Sequence, residues 1–332
     1  MDMTGDGSRL FSVVMPAFNA ASTIGRAVGS LQAQTCPDWE LVVCDDGSTD
    51  STADVVRELS SSDPRIRLIS LKSNSGSAYK PRRCAVEAAC GEWIVELDSD
   101  DTLSPDYLES ARKTFCSSGA DLLVSRMRTV GPDCGLRCLP APCVETMPVA
   151  GRRLVRHTVD GWDIPLWLVC RKSILMDVYA DGHEDASVFA DEILSRRVLC
   201  RAPLAAFFEG EYRYSPDSTS VTSSVGPARF SFLCSDRRLL YWLKDEFGVG
   251  SEEYRMGCRR LFGGVCEALL LLRKVAAREE RRKCQLIIAE AWNDSAFSEA
   301  RRYVRGCLGV ISYLGPYALK TAIYVRERGK KR

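Results

Sequence analysis

Apolar and polar positions over the first hundred residues fall into two alternating patterns. Residues 10–15 (LFSVVM) form a short, β-branched apolar run that stops at Pro16 and reads as a buried strand. From Ser22 to Gln34 the apolar residues Ile24, Ala27, Val28 and Leu31 recur at helical spacing, with Ser22 or Thr23 as the cap. A second strand is predicted over Glu40–Cys44, then a polar turn, then a helix from about Thr52 to Leu59. Ile66–Leu71 reads as a third strand, Pro81–Cys90 as a helix and Trp93–Leu97 as a fourth strand. Strands alternating with helices in this way predict an α/β fold with a mainly parallel central sheet. Ligands of such sheets bind beyond the carboxyl ends of the strands.

Beyond residue 102 the periodicity weakens. Residues 131–148, rich in Pro, Gly and Cys, read as a loop or hairpin excursion, and residues 215–227 (SPDSTSVTSSVGP) as a polar linker. The pattern is then helical to the end, with one long Arg-rich amphipathic stretch from Glu252 to about Trp292. The expected division is a domain over 9–225, itself in halves 9–101 and 102–225, and a helical C-terminal region over 226–332.

Composition narrows the class of protein. A net charge of +1 over 332 residues gives no global indication of nucleic-acid binding. The 15 cysteines are odd in number and lack paired CxxC spacing, and the N-terminus MDMTGDGSRL is polar and acidic. Reduced thiols in a cytoplasmic protein are therefore expected, rather than a disulfide frame or a zinc site. No window reads as a membrane span; the nearest, residues 307–325, contains Lys320 and is broken by Gly315-Pro316. Basic residues flank it at Arg305, Arg326, Arg328, Lys330, Lys331 and Arg332. Two readings stand: a segment in peripheral contact with an anionic membrane surface, or a helical pair with a solvated basic tail.

Two acidic clusters sit at predicted strand ends. Asp98-Ser99-Asp100-Asp101 places three carboxylates within four residues, whose mutual repulsion calls for a compensating cation. Oxygen ligands suit Mg²⁺ or Mn²⁺ shared with substrate phosphates. The alternative is a turn leading into a helix at Pro105, capped by Asp101 or Ser104. The turn Asp45-Asp46-Gly47-Ser48-Thr49-Asp50 offers carboxylates to a nucleobase N–H or a ribose hydroxyl, or helix caps from Ser48 or Asp50. Between them, Asn74-Ser75-Gly76 suits a loop approached by a ligand, and Arg82 or Arg83 suits a diphosphate, or else forms a basic surface loop.

The ordered set VVMPAFN at 13–19, DDGSTD at 45–50, NSG at 74–76, Pro81-Arg82 and GEWIVELDSDD at 91–101 resembles the family 2 glycosyltransferases, which have the A-type fold. The resemblance is dense over residues 10–108. It implies that 9–101 is the nucleotide-sugar half of the domain and 102–225 the acceptor half. Pro16, Ala17 and Phe18 then line the base pocket, Asp46 contacts base or ribose, and Arg82 lies near the diphosphate. Asp98 and Asp100 match the Asp-x-Asp pair, with Ser99 between them at the donor site and Asp100 the more direct metal ligand. Arg83 stands where many relatives have Asn.

The resemblance also implies an inverting transfer, which needs a base on the acceptor side. Ala190-Asp191-Glu192 with Arg196, followed by Glu211-Tyr212-Arg213-Tyr214 and Asp217–Thr222, is similar to the family variant with an Asp-Glu pair and an Arg four residues after the Glu. Asp191 or Glu192 is the expected base, with Glu184-Asp185 a competing pair. Trp162, Trp167 and Tyr179 are candidates to stack on acceptor sugar rings or to pack in the core. With only His157 and His183 present, a His-based triad is disfavoured. The implied activity moves a sugar from a nucleotide sugar, most often a UDP-sugar, to a hydroxyl of a saccharide or lipid-linked acceptor in cell-surface polysaccharide synthesis. The expected location is the cytoplasm or the cytoplasmic face of the membrane. The rival readings are a sugar nucleotidyltransferase, against which the loop PAFNAAST lacks a Gly-rich basic pattern, and a catalytically inactive nucleotide-sugar-binding protein.

Overall fold

The structure, a computed structural model, describes residues 10–130, 138–139, 148–161, 163–165, 167–181, 190–215 and 226–304, with residues 316 and 319. The chain divides into two compact units, one of residues 1–158 and 162–217, the other of residues 159–161 and 218–332.

The first unit begins with the expected alternation: β1 Phe11–Ala17, α1 Ile24–Gln32, β2 Trp39–Asp45, α2 Thr52–Ser62, β3 Ile66–Ser70, α3 Tyr79–Ala88 and β4 Trp93–Glu96. It continues with β5 Thr102–Leu103, α4 Tyr107–Ser118, β6 Leu122–Thr129, β7 Cys138–Leu139, α5 Arg156–Val159, β8 Leu168–Arg171, α6 Lys172–Ala180, α7 Ala190–Arg201 and β9 Ala205–Tyr214. Within the segment expected to be a loop or hairpin, the described residues Cys138–Leu139 pair antiparallel with β6.

The strand order is β3-β2-β1-β4-β8-β6-β9-β5. β1 pairs parallel with β2 and β4, β2 parallel with β3, and β6 parallel with β9. β8 runs antiparallel to both its neighbours, β4 and β6. The sheet is thus mainly parallel by paired residues, with one reversed strand inside it. In consequence the carboxyl ends of β1, β2, β3, β4, β6 and β9 share one edge with the amino end of β8. That edge is where the acidic clusters emerge.

β1 and β2 are buried along their whole length, which explains their continuous apolar runs in place of alternation. Of the three buried polar residues, Asp45 at the end of β2 accepts from Ser48 N–H, and Ser12 and Glu40 satisfy each other. Ser12 Oγ donates to Glu40 Oε1 at 2.6 Å, the Cys90 and Gly91 N–H groups donate to Glu40 and Ser12, and Arg67 pairs with Glu40 at 3.1 Å. Gly91 allows this approach, since a Cβ there would lie 2.7 Å from the Ser12 nitrogen. Pro16 does not end β1 as expected, and pairs with Cys44. Val14 faces β4, accepting from Leu97 N–H, so Pro16 two residues on faces the same side. The β1–β4 ladder stops at Val14, and the missing proline N–H leaves no partner unmet. The four apolar positions predicted for α1 are all buried against the sheet.

The second unit contains α8 Pro227–Phe230, α9 Phe232–Phe247, α10 Glu252–Leu271, α11 Arg278–Asn293 and α12 Ser295–Arg302. The amphipathic stretch from Glu252 to about Trp292 is helical as expected, and forms two helices, α10 and α11. Their apolar stripes (Leu261, Val265 and Leu269; Cys284, Ile288 and Ala291) enter one core, which a single straight helix of that length cannot do. Arg281 caps the break by donating to the Leu272 carbonyl at 3.0 Å. Ser251 caps the start of α10, accepting from Tyr254 N–H at 3.1 Å.

Candidate active site

The loop after β1 and the turn after β2 are laced together. The Asp46 N–H donates to the Ala17 carbonyl at 2.8 Å, joining the two strand ends. Asn19, at φ 51° the one non-glycine residue with positive φ among the described residues, donates through its N–H to Ser48 Oγ and accepts from Thr49 N–H, each at 2.9 Å. Asp50 accepts from the N–H groups of Ala21 and Thr52 and from the Thr52 hydroxyl, and the Thr52 hydroxyl bond leads in holding its carboxyl below the usual range. Asp50 thus caps the start of α2, one of the two caps expected. Gly47 has φ 70°, and a Cβ there would lie 2.7 Å from the Ser73 carbonyl carbon, so the turn after β2 packs onto the loop after β3.

That packing brings Asp46 to Ser75. The Ser75 N–H reaches both carboxylate oxygens of Asp46 at 3.0 Å, and its hydroxyl donates at 2.9 Å. Asp46 is buried, and so are Pro16 and Ala17, whereas the Phe18 ring is 47% exposed. Of the three residues expected to line a base pocket, Phe18 is therefore the one that offers a side chain to a ligand; Pro16 and Ala17 form the strand end behind it.

Arg82, on the first turns of α3, is buried and extends between two carboxylates of β4 and its end. Its Nη2 donates to Asp98 Oδ1 at 3.1 Å, and its Nε lies 3.7 Å from Glu96. The second Asp98 oxygen accepts from Trp167 Nε1 at 3.0 Å. Trp167 immediately precedes β8, and reaches Asp98 because β8 is reversed relative to β4. Its ring stacks on Tyr212 of β9, with centroids 4.7 Å apart and planes 13° apart.

Asp101 points away from this opening. It is fully buried, accepting from the Tyr212 hydroxyl and from Ser215 N–H, each at 2.7 Å. Burial, with Asp98 beside it, pushes the Asp101 carboxyl up to about 8 against the lowering effect of the Tyr212 bond. The helix cap read as Asp101 or Ser104 is instead Asp106, whose Oδ1 accepts from the Ser104 hydroxyl at 2.7 Å. Ser99 and Asp100 are half-buried, and the Asp100 carbonyl accepts from Arg26 of α1 at 2.5 Å.

On the acceptor side, Arg196 of α7 is wholly buried. It donates to the Glu192 carbonyl at 2.7 Å, to Glu192 Oε2 at 3.3 Å, to the Thr158 hydroxyl at 3.0 Å and to the Thr158 carbonyl. Glu192 is thereby held in an ion pair within its own helix. Asp191 lies in α7, and its side chain is outside the described residues, as are Trp162, His183, Glu184, Asp185, Asp217–Thr222 and the basic tail. Tyr179 is buried edge-on against Tyr79, a core position rather than a sugar platform.

The structure joins Asp98 to Arg82 and brings Glu96 and Arg26, which the sequence reading did not single out, to the same end of β4. Glu96 had a readable signal: an acidic residue ending an apolar buried strand needs a cationic partner. Trp167, a candidate for sugar stacking or core packing, stacks on Tyr212 and bonds to Asp98.

Asp98 and Asp100 at the end of β4 offer oxygen donors of the kind that suits Mg²⁺ or Mn²⁺. No group of three or more His, Cys, Asp or Glu among the described residues can hold an ion unaided. The fit is to a cation completed by substrate phosphate oxygens.

Residues 12–139 match the model of glycosyl transferase family 2. The chain is 42% identical over 125 residues to a chondroitin synthase of Pasteurella multocida, covering 37% of this chain and 13% of that protein. It is also 42% identical over 100 residues to the Escherichia coli UDP-Glc:alpha-D-GlcNAc-diphosphoundecaprenol beta-1,3-glucosyltransferase WfgD, covering 30% of this chain and 38% of that one. The aligned segments thus span well under half the length of these relatives. Among solved structures, S. aureus TarS residues 1–349 with UDP-GlcNAc superimposes with a TM-score of 0.71 at 20% identity, covering 96% of this chain and 92% of that one. That likeness shows the A-type fold across both units' residues without fixing an activity. Through residues 12–139, the chain thus matches glycosyl transferase family 2 and is similar to its members.

Proposed function

We propose that the protein is an inverting glycosyltransferase that moves a sugar from a nucleotide sugar, a UDP-sugar in the first instance, to a hydroxyl of a saccharide or lipid-linked acceptor in cell-surface polysaccharide synthesis. The observation that carries this reading is that three sequence-remote segments, bearing Asp46, Arg82 and the pair Asp98 and Asp100, come to one edge of the sheet, with Arg82 bonded to Asp98. The relatives named above include enzymes whose names specify polysaccharide synthesis and a UDP-sugar donor. A mannosyltransferase of Pyrobaculum calidifontis, solved with GDP-Man and Mn²⁺, shares the fold at a TM-score of 0.53 and 15% identity.

In this reading Phe18 stacks on the base and Asp46 accepts from base or ribose. Asp98 and Asp100 hold the cation, with Ser99 beside the donor. A divalent cation there supplies charge compensation for the diphosphate oxygens. Arg82 adds a fixed positive charge, itself steadied by Glu96. Glu192 is engaged by Arg196, so Asp191 is assigned as the base. It takes the proton of the acceptor hydroxyl as the new bond to the anomeric carbon forms and the bond to the diphosphate oxygen breaks on the opposite face. Among the described residues no helix is long and apolar enough to cross a membrane. The peripheral membrane contact rests on the basic residues Arg305, Arg326, Arg328, Lys330, Lys331 and Arg332, which lie outside those described.

Calorimetric titration of UDP, GDP and CMP with Mn²⁺, Mg²⁺ or chelator tests the donor site. Metal-dependent binding of one nucleotide, lost in Asp100→Ala, is expected. A folded protein that binds none of them overturns the reading.

A further inference from the structure

Asp98 is held from three directions, and two of them lead to the same residue. Its N–H donates to the Tyr212 hydroxyl at 3.2 Å, and its Oδ2 accepts from Trp167, whose ring lies flat on the Tyr212 ring. Tyr212 is fully buried and its hydroxyl donates onward to Asp101, so it has no surface left to offer a ligand. Asp101 in turn accepts from Ser215 N–H, pinning the end of β9. The acidic turn is thus bolted to β9 through one phenol.

Resting on the donor-site reading above, we propose that Tyr212 is a positioning residue. It fixes the backbone of Asp98 through its hydroxyl and the carboxylate of Asp98 through the stacked Trp167 indole, setting where the turn presents Asp100 to the cation and diphosphate. The argument is geometric. A turn carrying two carboxylates, Asp98 and Asp100, in close sequence is opposed by their repulsion unless its backbone is tied down, and metal ligands must be held within fractions of an ångström to bind well. Arg82 donates to Asp98 Oδ1. The other oxygen and the backbone N–H depend on Trp167 and Tyr212.

Tyr212→Phe keeps the ring stack and removes the hydroxyl; Trp167→Phe keeps an aromatic ring and removes the indole N–H. Both are expected to weaken Mn²⁺-dependent nucleotide binding by about tenfold, the loss of one well-made hydrogen bond, while nucleotide affinity in chelator is unchanged. Tyr107→Phe, an equally buried tyrosine packed on Phe208, is the control for general loosening and should leave the metal dependence as in wild type. Amide exchange without metal or nucleotide gives a second reading: the Asp98 N–H should exchange faster in Tyr212→Phe than in wild type. Wild-type protein that binds no nucleotide with metal overturns the donor-site reading and the proposal with it. Nucleotide binding by wild type with an unchanged Mn²⁺ requirement in both variants, or equal losses in chelator, overturns the positioning role alone. An Asp98 amide that exchanges no faster in Tyr212→Phe overturns it as well.

Discussion

Asp63, just past the end of α2, accepts from the Arg65 backbone N–H at 3.0 Å and from its guanidinium at 3.0 and 2.8 Å. The guanidinium lies 3.7 Å over the Trp39 ring, roofing the start of β2. The Arg65 bonds hold the Asp63 carboxyl down at about 2 from an ordinary 3.8. A carboxylate with a depressed value stabilises the fold fully above the ordinary value, and the contribution is lost as pH falls through the depressed one. Asp63→Asn is therefore expected to cost about 1 kcal/mol near neutrality, reduced from the full linkage value by solvent around Arg65. Urea melts of the two proteins should converge as pH drops from 4 towards about 2; a difference that persists there contradicts the assignment. At this scale, the sequence made the buried face of α1 and the acidic residues at strand ends readable, because each follows from a local period. Partners were not readable: Trp167 is 69 positions from Asp98 and Tyr212 is 114. Nothing near any of the three names the others.

Among the elements, the four strands and three helices of the first hundred residues are legible because each buries a face of fixed period. Their ends shift where a longer-range contact intervenes, as at Pro16. The break between α10 and α11 was not legible, for a different reason. Helical period reports which face is apolar and is silent on whether two stripes meet in one core. Turn chemistry is more informative, and Gly47 shows it. At φ 70° and with the Ser73 backbone where a Cβ would sit, Gly47→Ala combines left-handed strain with a clash that flexible side chains cannot relieve. A loss of more than about 2 kcal/mol is expected in denaturant melts. Gly76→Ala, with positive φ but open space around it, should cost less than Gly47→Ala. Equal losses would show that strain alone matters at these turns.

For the molecule as a whole, each unit has its own apolar core, and both bury cysteines. Cys44 and Cys258 are fully buried, and burial pushes each thiol up to about 12, whereas Cys90 and Cys116 are exposed. Thiolates react and buried thiols do not. Alkylation of native protein followed by peptide mass analysis should mark Cys90 and Cys116 at once, and Cys36, Cys44 and Cys258 only on unfolding. Rapid marking of Cys44 would mean that the sheet opens readily. The family resemblance was legible because its motifs crowd into residues 10–108, on consecutive strand ends. Residues 190–222 were less legible, since they lie beyond the matched stretch.

The reversed strand β8 limits how the chain can be recombined with its relatives. Exchanging everything after residue 130 for the matching part of a relative would seem to leave the matched strands β1 to β4 and their ends whole. It would in fact remove the indole that grips Asp98, because β8 carries Trp167 back to the end of β4. A folded chimera must bring in a compatible aromatic at that position, or leave the turn after β4 with one of its supports missing.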